Sequence, residues 1–259
     1  MLLAIDVGNT QTVIGAYRGE ELVHHWRTST NTKITGDELA LYYQGFLLIK
    51  GLTFPDFDGV IISSVVPSAT MALLHMVRDI WGFEPLVVGQ NVRIDMPLLI
   101  DNPGELGADR IVNAVAAFER YGGPSIVVDF GTATTFDAIS ARGEYLGGAI
   151  APGIEISSIA LFNAAARLPR VELKRPEGPI GRNSVASMQS GIVFGFAGQV
   201  ERLVEMMKAE LGEGTKIIAT GGLAEVVVGE CRCIDVHDPL LTLHGLWLLY
   251  RSNRPGAID

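Results

Sequence analysis

The sequence is poor in the residues that staple or metallate a protein. Only two of its 259 residues are cysteines, and the one residue between Cys231 and Cys233 fits neither a C-x-x-C redox site nor a zinc knuckle. Both read as reduced, buried thiols. His24, His25, His75, His237 and His244 fall in no H-E-x-x-H or mixed His/Cys spacing, which argues against structural zinc; each is expected to be a satisfied structural histidine. Bases are in the minority, 20 against 29 acids for a net charge of -9. The surface field therefore repels nucleic acid and anionic lipid except at a local basic pocket. No apolar run approaches the roughly 18 residues of a membrane span. The start, Met1 to Asp6, lacks a basic leader region and is broken by an acid. The expectation is a cytoplasmic protein with neither membrane nor nucleic acid as partner.

What is present is the composition of a globular protein: 48% hydrophobic and 19% charged residues, with 30 glycines and 12 prolines. At about 150 residues per domain the length suggests one large domain or two modest lobes. Residues 2–7 read as a strand ending at Gly8-Asn9-Thr10, and 12–17 and 21–28 as two more strands joined by Arg18-Gly19-Glu20. Thr35 and Glu38 form a capping box ahead of a helix running to about Lys50. A strand at 60–62, a helix from about 68 to 81 and a strand at 85–88 complete a βββαβαβ plan. The second half begins again with Ser125-Ile-Val-Val-Asp129-Phe-Gly131, then strand signals over 134–150, a helix near 153–166, a helix from 184 to 211 and a strand at 216–219. Asp6 can be laid on Asp129, Gly8 on Gly131 and Thr12 on Thr135. The expected architecture is α/β, two related lobes over 1–122 and 123–259 with a cleft between them as the natural site.

Each Asp-x-Gly loop places a carboxylate at a strand end and a glycine where backbone N–H groups turn towards a ligand, which suits a triphosphate. Gly8 lets the backbone approach phosphate, Asn9 and Thr10 donate hydrogen bonds, and Asp6 is a candidate for Mg²⁺. Asp129 and Thr132 are the counterparts in the second loop, Asp129 being a second candidate for Mg²⁺. Asp109, with Arg110, falls in the first turn of a helix that stops at Gly122-Gly123. The plain reading of such an Asp is a complement to the helix dipole worth about 0.3–1 kcal/mol. The functional reading makes it the acceptor of a proton from a hydroxyl attacking the γ-phosphate, with Arg110 holding an anionic substrate tail. Gly191, Gly195 and Gly198 leave a smooth stripe on the 184–211 helix, for close packing against the core or a second subunit.

Five strings, Asp6-Val-Gly-Asn-Thr10, Gly107-Ala-Asp-Arg110, Asp129-Phe-Gly-Thr132, Gly181-Arg-Asn-Ser184 and Thr220-Gly-Gly222, stand in an order and spacing that resembles the type III pantothenate kinase family over roughly residues 2–250. That resemblance implies the ribonuclease H-like, actin-like fold shared by the acetate and sugar kinases, Hsp70 and actin. It implies transfer of the ATP γ-phosphate to the primary hydroxyl of pantothenate, the first step of coenzyme A synthesis. It further implies that Asp6, Val7, Gly8, Asn9, Thr10, Gln11, Thr12, Val13 and Thr132 contact ATP, with Gly221 and Gly222 at the adenosine-side turn. Gly107, Ala108, Asp109 and Arg110 would contact pantothenate, Asp109 as proton acceptor. Asp129 would hold K⁺ or NH₄⁺, which displaces the Mg²⁺ reading there and leaves Asp6 on the Mg²⁺ side. Ser184 stands where the family usually has Thr, reaching pantothenate from the partner in a homodimer with shared active sites. Ile100 occupies a position where the family often has an aromatic residue, Gln90 to Asp95 depart from a Gly-rich turn, and Gln11 replaces a more familiar Asn. Two rival readings stay open: an ATP-binding member of the superfamily that switches conformation or forms filaments, and a kinase for another small hydroxylated substrate.

Overall fold

The computed structural model describes residues 1–254. The chain divides into two compact units. The first holds Met1–Asp95, Asn102–Ala116 and the residues from Thr242 on; the second holds Met96–Asp101 and Ala117–Leu241.

The first unit opens on the meander β1 (Leu2–Val7), β2 (Gln11–Arg18) and β3 (Glu21–Ser29), followed by α1 (Gly36–Ile49), β4 (Gly59–Ser64), α2 (Pro67–Trp81) and β5 (Leu86–Val87). This is the expected βββαβαβ plan, and the strands lie in the order β3-β2-β1-β4-β5. The central strands β1 and β4 run parallel and are almost wholly buried, which is why they read as unbroken apolar runs. Leu3, Ile5, Ile14, Ile62, Leu73 and Val77 make the core beneath α1 and α2, each such side chain contributing about 1.5–3 kcal/mol by burial. The capping box is present as read: the Thr35 hydroxyl accepts from the Glu38 N–H at 3.3 Å, and the Thr35 N–H donates to the Glu38 carboxylate at 2.9 Å.

After α3 (Ala108–Tyr121) the second unit repeats the plan with β6 (Ser125–Phe130), β7 (Ala133–Ile139) and β8 (Tyr145–Pro152), then α4 (Ile154–Ala164), α5 (Ser184–Leu211), β9 (Lys216–Thr220), α6 (Ala224–Val227) and β10 (Val236–His237). Its strand order, β10-β9-β6-β7-β8, matches the first sheet strand for strand. The register corrects one detail of the overlay. Val7 pairs with Thr12 across the first loop but Phe130 pairs with Thr134 across the second, so the second loop is one residue shorter and the counterpart of Thr12 is Thr134, not Thr135.

The expected division at 122/123 is shifted. The first unit ends within α3, and α7 (Leu241–Asn253) groups with the first unit from Thr242 on. The reason is packing. The Trp247 ring stacks on Tyr17 and its indole N–H donates to the Gly19 carbonyl at 2.9 Å. Gly15 and Gly59 lack the side chains that Leu243 and Tyr250 would meet. Residues 96–101 in turn belong to the second unit because Leu98 bridges to Tyr145. Cys231 and Cys233 are free; Cys231 is buried as expected, and burial, with Cys233 beside it, pushes its thiol up to about 12, whereas Cys233 is only half-buried. The histidines do not all meet their expectation: His237 Nε2 is buried with no hydrogen-bond partner among the described residues, and exposed His75 pairs with Asp79 at 3.1 Å.

Candidate active site

In the first unit, Asp6 and Val7 end β1 beside Ser63 and Ser64 of β4. The loop that follows is closed by the Gly8 N–H donating to the Gln11 carbonyl at 3.0 Å. Thr30, directly after β3, fastens it from outside: its hydroxyl donates to the Gly8 carbonyl at 2.7 Å, lies 3.0 Å from the Thr12 hydroxyl, and its N–H donates to the Thr10 carbonyl at 2.9 Å. Gly8, Asn9, Thr10, Gln11 and Thr12 therefore form one braced turn with Val13 in the strand behind. The Gln11 Oε1 accepts from the Arg27 guanidinium at 2.8 Å, which leaves the amide N–H donors of Gln11 as the groups able to serve a phosphate or water.

The Gly107–Arg110 segment lies in the same unit as that turn. The Val65 N–H, next after β4, donates to the Val7 carbonyl at 3.1 Å, and a Cβ on Gly107 would stand 3.8 Å from the Val65 side chain. Ala108 is buried at the start of α3, and Asp109 follows it, half-buried. A Cβ on Gly107 would approach the Asp109 carboxylate to 2.6 Å, so only glycine leaves that carboxylate its place. Asp109 Oδ1 accepts the Arg110 N–H at 2.8 Å. Burial holds the Asp109 carboxyl above the ordinary carboxylate range, opposed more weakly by that N–H and by the Arg110 charge. A half-buried carboxylate with raised proton affinity at a helix start is equipped to take a proton.

The second unit assembles its own cluster. Asp129, the last residue but one of β6, lies between Thr135 of β7 and Thr220 of β9. Gly221, with φ of +95°, follows Thr220, and a Cβ there would run into the Asp129 carboxylate. Gly131 closes the second loop by donating to the Ala133 carbonyl at 3.0 Å, and Thr132 is the exposed residue of that turn. Gly222 is exposed beside Gly221. Ile100 belongs to this unit rather than to that of Gly107–Arg110; its side chain would touch a Cβ on Gly147 of β8 at 3.6 Å. Ser184 is the exposed first residue of α5, whose N-cap Asn183 accepts from the Ala186 N–H at 2.9 Å.

Several supporting residues escaped the sequence reading. Thr30 lies in the Thr28-Ser29-Thr30-Asn31-Thr32 run, whose clustered hydroxyls were a signal. Gly153, at the N-cap of α4, lies against the carbonyls of Gly131 and Thr132, and Pro152-Gly153 was its signal. Buried Asp137 accepts from the Tyr145 hydroxyl at 2.6 Å, and Tyr145 holds residues 97–99 by backbone bonds of 2.9 and 2.8 Å. No local pattern announces that last pair.

Among solved structures the chain is similar to the activator of the 2-hydroxyisocaproyl-CoA dehydratase of Clostridium difficile, at 12% identity with a TM-score of 0.56 over 96% of this chain and 93% of that one. It is similar also to component A of the (R)-2-hydroxyglutaryl-CoA dehydratase of Acidaminococcus fermentans, at 14% identity and a TM-score of 0.53 over 96% of each. These likenesses are of fold, the actin-like α/β fold expected. Residues 2–206 match the family model for type III pantothenate kinase. Type III pantothenate kinases of Moorella thermoacetica and Streptomyces griseus are each 54% identical to it, covering 98% of this chain and 100% and 98% of theirs; that of Geobacillus sp. WCH70 is 51% identical, covering 98% of both. With half of all residues shared from end to end, the chain belongs to the type III pantothenate kinase family.

Proposed function

We propose that this protein transfers the γ-phosphate of ATP to the primary hydroxyl of pantothenate, giving 4'-phosphopantothenate, the first step of coenzyme A synthesis, in the cytoplasm. The end-to-end likeness to kinases of that name carries the proposal, and the chemistry of Asp109 agrees with it. In this reading the pantothenate oxygen attacks the γ-phosphorus, the bond from phosphorus to the β-bridging oxygen breaks, and ADP leaves. Asp109 accepts the hydroxyl proton, and Arg110 pairs with the pantothenate carboxylate. The Gly107 and Ala108 backbone flanks the same substrate. Asp6 serves Mg²⁺, and the turn from Gly8 to Thr12 lies against the phosphates; Thr132 does the same from its own loop, and Gly221-Gly222 lies at the adenosine side.

Asp129 is assigned the monovalent cation, K⁺ or NH₄⁺. Its carboxylate lies in a cradle that a Cβ on Gly221 would fill, a fit for a large, weakly hydrated ion. When bound, that ion supplies positive charge that offsets phosphate charge. The active form is assigned to a homodimer in which Ser184 of α5 serves the other subunit's pantothenate through its hydroxyl, and Ile100 offers an aliphatic wall. The exposed glycines of α5 support this: a Cβ on Gly191, Gly195 or Gly198 would meet nothing within 4 Å, so the stripe is not packed on the described core.

The test is a coupled assay with Mg·ATP over a panel of hydroxy acids and sugars, with the product weighed by mass spectrometry. Pantothenate alone should gain a phosphoryl group, and replacing K⁺ by Na⁺ should remove most turnover. Phosphorylation of another panel member in preference to pantothenate overturns the substrate assignment; equal rates in the two salts overturn that of Asp129.

A further inference from the structure

Asp137 is a wholly buried carboxylate that the proposed phosphoryl transfer does not use. In the sheet it stands between Val127 of β6 and Gly148 of β8, where an apolar side chain would serve the strand at lower cost than an acid taken out of water. Its two oxygens serve different partners. Oδ2 accepts from the Thr135 hydroxyl at 3.2 Å, and Oδ1 accepts from the Tyr145 hydroxyl at 2.6 Å.

Thr135 pairs directly with Asp129 across β6 and β7, which puts the two side chains next to each other on one face of the sheet. Both residues are half-buried, so an ion can reach them. A hydroxyl has one proton and two lone pairs. With its proton given to Asp137, the Thr135 oxygen has only lone pairs left to offer beside Asp129, and oxygen lone pairs are what an alkali cation takes from a protein.

Tyr145 is 1% exposed, and its main chain bonds to Pro97 and Leu99, the residues that lead into Ile100. The β7–β8 ladder slips between Ala138 and Ile139, and a slip of this kind disrupts main-chain pairing locally. The bond from Tyr145 to Asp137 spans it, since Asp137 lies before the slip and Tyr145 pairs with Ile139 beyond it.

We propose that Asp137 is a positioning residue with two arms: through Thr135 it readies the cation site at Asp129, and through Tyr145 it holds the 97–100 segment that carries Ile100 towards pantothenate. This rests on the assignment of the cation to Asp129 and of Ile100 to the pantothenate side, and direct binding measurements separate its failure from theirs.

The probes are thallium(I), a K⁺ mimic, in K⁺-free buffer, and pantothenate in saturating K⁺. Each is titrated calorimetrically into the full-length protein holding Mg·ADP, so that no turnover occurs. Thr135→Val should weaken thallium binding about tenfold and Tyr145→Phe should weaken pantothenate binding about 3- to 10-fold, the ratios that loss of one polar contact produces. Each variant should leave the other constant unchanged, and Thr135→Ser, which keeps the hydroxyl, should bind thallium like the parent. Asp137→Asn keeps the shape but accepts through one atom only, and should weaken both. A parent protein that lacks either affinity overturns the corresponding assignment and this inference with it. A parent that binds both probes, with Thr135→Val or Tyr145→Phe matching it, overturns the inference alone, as does either variant shifting both constants alike, the mark of a loosened fold.

Discussion

The carboxylate of Asp129 stands where a side chain at residue 221 would have to be. Gly221 meets two constraints at once, the crowding and a left-handed φ of +95°, and no other residue type satisfies both. If Asp129 has the role proposed for it, the Gly221→Ala protein should lose at least about 10²-fold in kcat, the effect a small misplacement of a positioned group can have. Gly214 separates the two causes, since its φ is +83° but a Cβ there meets nothing within 4 Å. Steady-state assays should show Gly214→Ala nearly as active as the parent; comparable losses in both variants would assign the effect to backbone strain alone.

Asp109 carries opposite consequences for turnover and stability. Its proton is held more tightly in the folded chain than in the unfolded one, chiefly through burial. The folded chain therefore binds more protons between the unfolded and folded pKa values, and its stability falls as pH rises through that window. At neutral pH the ionised carboxylate lowers stability. Asp109→Asn should raise the thermal midpoint at pH 7, with a smaller gain at acid pH, while lowering kcat by about 10²- to 10⁴-fold. For the parent enzyme, the acidic limb of the pH–rate profile should fall above the ordinary carboxylate range. A variant with unaltered kcat would remove Asp109 as the base.

The local grammar of the fold was legible in the residues themselves. Thr35 and Glu38 announced α1, the apolar runs at 2–7 and 60–62 announced the strands β1 and β4, and the limits of α5 follow from Ser184 after Asn183 and the glycine after Leu211. Contacts distant in sequence were not legible. Nothing near Tyr250 says that it packs on Gly59, so α7 seemed to belong with the half that precedes it. The residues of the candidate site could be named from the sequence because chemistry restricts residue type there. Their support could not: any residue able to donate to the Gly8 carbonyl could have played the part of Thr30, and the Asp137–Tyr145 pair is specified only by the register of β7 against β8.

Thr30 yields a prediction that the sequence alone did not. Its hydroxyl bonds to the Gly8 carbonyl and pairs with Thr12. Thr30→Val keeps the shape and removes both contacts, each worth about 0.5–1.5 kcal/mol. The KM for ATP should rise by about 5- to 30-fold while the KM for pantothenate changes little, as measured by initial rates with each substrate varied. Thr28→Val is the control, because the Thr28 hydroxyl makes only a 3.4 Å contact with the neighbouring Ser29 carbonyl. Equal effects from both variants would show that the Gly8 turn is not held by Thr30.

The glycines of α5 make the homodimer testable without disturbing the subunit. Each glycine inside a helix costs about 1 kcal/mol relative to alanine, and in the isolated chain Gly191, Gly195 and Gly198 gain no close contact in return, since a Cβ on any of them meets open space. Close approach of a second copy is the compensation that the proposed assembly supplies. Arginine is a good helix former, so Gly195→Arg should leave the subunit folded, with unchanged far-ultraviolet circular dichroism, while blocking that approach. Sedimentation velocity should then report monomers, and turnover should fall with dimer content because Ser184 would no longer reach a neighbouring site. Gly45, on α1, is equally open, and Gly45→Arg should stay dimeric and active. A Gly195→Arg protein that sediments with the parent would place the subunit interface away from this face of α5.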